Sequence, residues 1–160
     1  MSETSPAQIA ELHLEIRIDA SPEKAWRALT EEIHAWWPQD FYGGGEPGNR
    51  SFHLEAWPGG RMYESWKGQD GLLWGTIASI EEGKKLQITG TTFPEWGGPT
   101  LWFGTWKLEE DGDGCLLHFS ESTLGKLEAS NLQEKESGWK FLFAGALKAF
   151  VEGRPAPAWQ

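Results

Sequence analysis

"TLWFGTWKLEEDGDGCLLHFSES", Thr100 to Ser122, decides how the chain reads. Trp102 and Trp106 stand four residues apart, a spacing that fits one face of a helix and equally one face of a strand. Gly104 between them weakens a helix by about 1 kcal/mol. Thr100, Trp102, Phe103, Thr105 and Trp106 all favour strands. Pro99 and "EDGDG" (110–114) bracket a run of strand length, and a second run follows at once. The stretch is a β-hairpin. Trp102, Gly104, Trp106 and Leu108 share one face of the first arm. Leu117, Phe119 and Glu121 share a face of the second, with Leu116 and His118 pointing the other way.

Upstream and downstream patterns extend this reading. "LHLEIRID" (12–19) alternates, with Leu12, Leu14, Ile16 and Ile18 on one side, as a half-buried strand does. "SPEKAWRALT" follows with Ser21 as N-cap, Pro22 at the first helical position and Glu23 in the first turn. A second short helix, "EEIHAWWP", is stopped by Pro38. "GGGEPGN" (43–49) is a loop. "SFHLEAW", "RMYESW", "LLWGTIASI" and "KKLQITGTTF" then read as strands separated by turns. Residues 130–152 form one helix, with Leu132, Trp139, Phe143, Ala146, Leu147 and Phe150 on one side. At about 1.5 Å per residue it is roughly 30 Å long, enough to cross a small sheet. Residues 1–9 are expected to be a disordered tail, 10–153 a single domain, and "RPAPAWQ" (154–160) a C-terminal tail.

Composition limits the function. A chain of 160 residues fits one domain and buries roughly 70% of its unfolded surface without a disulfide or metal. A net charge of −10 makes nucleic acid and anionic membranes poor partners. No segment approaches 18 apolar residues, and the N-terminus lacks the basic and apolar regions of a signal peptide. The single cysteine, Cys115, excludes an internal disulfide and suits a cytoplasmic location. His13, His34, His53 and His118 show no metal-ligand spacing, so no metal or cofactor is expected. His34 alone is placed near a cavity mouth. "GGGEPGNR" lacks the Lys-Ser/Thr of a phosphate loop and reads as a mobile loop at an entrance.

Strand, two short helices, a bent antiparallel sheet and a long C-terminal helix form an α+β helix-grip layout of about seven strands wrapped around the helix. "ASPEKAWRALT" (20–30), "WW" (36–37), "PGGRMYE" (58–64), "GTIASIEEGKKLQITG" (75–90) and "SGWKFLFAGALKAFVE" (137–152) come in the order of a known superfamily. Over residues 10–152 the chain resembles the SRPBCC, or START-like and Bet v 1-like, superfamily. Within it, it is similar to the branch of activators of the heat-shock-protein-90 ATPase. The resemblance implies an apolar cavity between sheet and long helix. Some members of the superfamily carry lipids, sterols or plant metabolites, some are cyclases or dehydratases, and some bind chaperones. No catalytic motif is common to all of them.

The eleven tryptophans sharpen the question of whether aromatic rings fill a core or line a hole. Leu, Ile and Val would fill a core more simply, whereas rings with an N–H handle suit a pocket with few polar groups. Trp66, Trp102 and Trp106 share the inward face with Phe119. Trp37, Phe41 and Trp96 come from segments at the expected mouth, and Trp139 and Phe143 from the helix. Trp74 is expected on the outer face. Glu64 and Glu121 also point inward, where an unpaired carboxylate is costly. They are expected to anchor a ligand, to act as acid/base in an enzyme alternative, or to meet Arg61, Tyr63 or water at the rim. The expected partner is a small apolar or aromatic molecule. A chaperone-regulator-like interaction or a homodimer is the alternative.

Overall fold

The computed structural model describes residues 1–160. Seven antiparallel strands form one sheet in the order β1-β7-β6-β5-β4-β3-β2. They are β1 (Gln8–Ile18), β2 (Ser51–Leu54), β3 (Arg61–Ser65), β4 (Gly71–Glu81), β5 (Lys85–Thr92), β6 (Thr100–Asp111) and β7 (Gly114–Gly125). Helices α1 (Pro22–Thr30) and α2 (Ile33–Trp36) follow β1. The predicted cap of α1 is present, Ser21 Oγ accepting from the Lys24 N–H at 3.2 Å. The hairpin read from 100–122 is also present, with Trp106 opposite Phe119 and Gly104 opposite Glu121. β1 begins at Gln8, four residues before the alternation becomes visible.

The predicted C-terminal helix is continuous but not uniform. It runs as α3 (Ala129–Lys140), a π-helical stretch (Phe141–Leu147) and α4 (Lys148–Val151). Leu142, Phe143, Ala146, Leu147 and Val151 are buried, whereas Leu132 and Phe150 are only half-buried. The wider π turn sends neighbouring pairs of side chains inward, and such turns concentrate at functional sites. β1, β6 and β7 supply the other side of the core through Ile16, Ile18, Trp106, Leu108, Leu117 and Phe119.

The C-terminal tail does not trail away from the domain. Trp159 meets Phe41 and Phe141 edge-on, with ring centroids 5.1 and 5.0 Å apart. No helix is long and apolar enough to cross a membrane.

Candidate functional site: an aromatic cavity backed by buried carboxylates

The rings predicted to line a cavity divide into two groups. The first is packed solid. Trp106 lies 5.0 Å from Phe119, Phe119 lies 4.9 Å from Phe143, and Phe143 stacks on Trp139 at 5.4 Å. All four are buried. Trp106, Phe119 and Phe143 line none of the main cavities, and the Trp106 indole N–H has no hydrogen-bond partner.

The second group surrounds space. A cavity of about 490 Å³ lies between β4, β5 and α3, walled by Phe41, Tyr42, Trp74, Phe93, Trp96, Trp102 and Trp139. It shares Phe41, Trp74, Trp96, Lys135 and Trp139 with a second space of about 320 Å³ that runs along α3. Together these fall in the size range of small-molecule sites. Gly90 makes room for one wall, because a Cβ there would lie 2.5 Å from Trp102 Nε1. Trp96 and Phe93 are 47% and 62% exposed, so the rings at the mouth are open to solvent.

Trp37, Glu64 and Trp66 sit behind the cavity wall and do not face it. Trp37 stacks on Phe52 at 3.8 Å and meets the Trp74 ring edge-on at 5.3 Å. Glu64 is 1% exposed and accepts the Gly43 N–H at 3.0 and 2.9 Å, Trp66 Nε1–H at 2.9 Å and Trp74 Nε1–H at 2.6 Å. Every contact is an N–H donor, the pattern of an acceptor-only carboxylate, and no cation pairs with it. Gly43–Gly45, within the stretch read as an entrance loop, form a hydrogen-bonded turn beside Glu64. A Cβ at Gly44 would lie 2.5 Å from the Trp66 ring, and Arg50 donates to the Gly44 and Gly45 carbonyls.

Glu121 is built the same way on the other side. It is 3% exposed and accepts Trp139 Nε1–H at 2.9 Å and Thr123 Oγ1–H at 2.9 Å. Lys135 Nζ pairs with it at 2.6 Å. The rim partners expected for Glu64 and Glu121 are elsewhere, with Arg61 bound to Glu55 and lying over the Tyr63 ring. Glu64 spends its oxygens on indole and backbone donors and Glu121 on indole, hydroxyl and ammonium donors, so neither presents a free base to the cavity.

Trp74 corrects the sequence reading. It faces inward because β4 carries a bulge: Met62 pairs with Gly75 but Tyr63 with Leu73, leaving Trp74 unpaired and shifting the alternation. Tyr42, Trp74, Phe93 and Lys135 are site residues that strand parity does not mark. The Tyr42 phenol is pushed above its ordinary range by burial and then by the Glu64 carboxylate, with Arg50 opposing. His34 lines a separate outer hollow beside His53.

The model of the activator of Hsp90 ATPase homolog 1-like family matches residues 19–152. The chain belongs to that family. Its fold is the helix grip of the SRPBCC superfamily, and solved structures agree. Ara h 8.0201 superposes with a TM-score of 0.66 at 18% identity, covering 92% of this chain and 100% of its own. An uncharacterised protein from Rhizobium leguminosarum gives 0.68 at 17% identity, over 93% and 98%. CV1439 from Chromobacterium violaceum gives 0.62 at 19% identity, over 89% and 96%. These likenesses establish the fold alone. No curated protein matches the chain significantly. The family description points to proteins like the activator of Hsp90 ATPase.

Proposed function

We propose that this family member binds a small apolar or aromatic molecule in the cavity between β4, β5 and α3. The observation that carries the reading is the aromatic wall itself: seven rings around about 490 Å³, with few free polar groups. Aromatic faces contribute large contact area at small entropic cost. The acid/base alternative has no comparable support, because Glu64 and Glu121 are both saturated by donors.

The test combines native mass spectrometry of the purified protein with titration of tryptophan fluorescence by small aromatic probes. Binding should be saturable, and Trp96→Ala and Trp102→Ala should weaken it about tenfold in a folded protein. Saturable binding that both variants leave unchanged would place the ligand elsewhere.

A chaperone-regulator-like contact is the second reading, favoured by one feature of the outer sheet face. Ile9, Leu124 and Leu101 lie in one row across β1, β7 and β6 and are 71%, 39% and 45% exposed. A partner held there would be lost in Leu101→Asp and retained in Trp96→Ala.

A further inference from the structure

We propose that the occupant of the cavity is an organic cation, an ammonium group carried on an apolar or aromatic body. The inference rests on the reading of the cavity as a binding site and names the charge of its ligand.

The first ground is the orientation of the indoles. Trp74 and Trp139, two of the walls, have their N–H groups tied to Glu64 and Glu121. Neither can donate to a carbonyl or carboxylate of a ligand. What they have left to offer is ring surface, on Trp139 only that not stacked on Phe143, and the negative quadrupole of an aromatic face attracts a cation. Hydrogen bonding of an indole N–H to an anion pushes electron density into the ring and strengthens that attraction.

The second ground is the charge behind the wall. Glu64 has no countercharge and lies one residue layer from the cavity, in contact with Trp74 and Gly43, both of which line it. A buried charge is screened far less than a surface one. The third ground is the rim. Asp40 lines the larger space, and Glu128 and Glu134 line the smaller. The chain as a whole carries −10.

Lys135 is the one basic residue on either wall, and it does not reverse the sign. Glu121 holds its ammonium at 2.6 Å and Thr123 at 3.1 Å. That ammonium also lies 5.9 Å from the Trp102 ring, so the chain's own cation already uses this kind of surface. No lysine or arginine covers Trp74, Trp96 or Phe41; of the wall rings only Tyr42 carries an arginine, Arg50 at 4.5 Å, whose N–H groups are spent on the Gln39, Gly44 and Gly45 carbonyls.

The experiment uses three probes of matched shape: phenyltrimethylammonium, tert-butylbenzene and benzoate, each titrated into the full chain at low salt by tryptophan fluorescence and ligand-observed NMR. Hydrophobicity alone ranks the neutral probe first. A cation site ranks phenyltrimethylammonium first, about 3- to 30-fold tighter than tert-butylbenzene, with benzoate weakest. Trp96→Leu, at a solvent-exposed mouth position, should cost the cation several-fold and leave tert-butylbenzene within about twofold. Neutral binding equal to or tighter than the cation overturns the inference while leaving the cavity reading intact. Tightest binding of benzoate also overturns it and assigns control to Lys135. If no probe binds at millimolar concentration, the cavity reading fails with it.

Discussion

Two sets of aromatic rings lie side by side along the C-terminal helix, one closed and one open. In the closed set, Trp106, Phe119 and Phe143 are 1–2% exposed and pack against one another. In the open set, Phe41, Trp74, Trp96 and Trp102 surround a space. Trp139 belongs to both, stacking on Phe143 while walling the cavity. Ring content alone therefore does not make a binding site. Where the hairpin β6–β7 runs directly under the π-helical stretch, rings interlock. Where β4, β5 and α3 meet around Trp74, Trp96 and Trp102, a space persists.

Truncating one ring from each set should give the largest effect. Phe143→Ala should cost about 3–5 kcal/mol, as large core truncations do. Trp96→Ala, at 47% exposure, should change stability by about 0.5 kcal/mol or less and act on binding instead. Urea denaturation measures both, and similar losses would erase the distinction between the sets.

Next in size is the buried carboxylate. Glu64→Ala leaves the Gly43, Trp66 and Trp74 donors without an acceptor, at roughly 1–3 kcal/mol for each group stranded. Destabilisation of about 3 kcal/mol is expected by the same denaturation measurement. Loss of hydrogen-exchange protection around Gly43 should accompany it.

A smaller effect separates two indoles of the cluster. Trp106→Phe removes an N–H that bonds to nothing, whereas Trp139→Phe strips a donor from Glu121. Trp139→Phe should therefore be the costlier change by about 1–3 kcal/mol. Equal losses would mean that the Trp139–Glu121 bond contributes nothing.

The smallest effect is a pH dependence. Burial pushes the Cys115 thiol above its ordinary value, partly opposed by Arg17 and reinforced by Glu23. The unfolded thiol then ionises first, so its contribution is complete below about pH 9 and declines as pH rises through the folded value. Denaturation midpoints should fall more steeply above pH 9 in the native chain than in Cys115→Ala.

Much of the fold is legible in the sequence, because the 100–122 hairpin, the β1 alternation and the Ser21 cap are local signals that the tertiary structure obeys. Strand parity also places Trp102, Trp106, Phe119, Glu64 and Glu121 inward. It does not separate filled from open, because that depends on how far α3 stands from the sheet. It misplaces Trp74 because one unpaired residue in β4 inverts the alternation, and nothing in "LLWGTIASI" marks the bulge. Glu64 is met by the Trp66 and Trp74 indoles and the Gly43 N–H, and Glu121 by Trp139, Lys135 and Thr123, partners that a search around Arg61 and Tyr63 overlooks. The π turn at 141–147 has no signature in the spacing of its apolar residues. The packing of Trp159 on Phe41 is equally silent in a proline-rich tail.

The open set, and not the closed set, is expected to meet a ligand. Fluorine NMR of protein labelled with 5-fluorotryptophan, titrated with the tightest of the three shape-matched probes, tests it ring by ring. The resonances of Trp74, Trp96 and Trp102 should move with saturation, Trp139 should move less, and Trp106 should stay within its line width. A shift of Trp106 as large as that of Trp96, or saturation with Trp74, Trp96 and Trp102 all unmoved, would contradict the account.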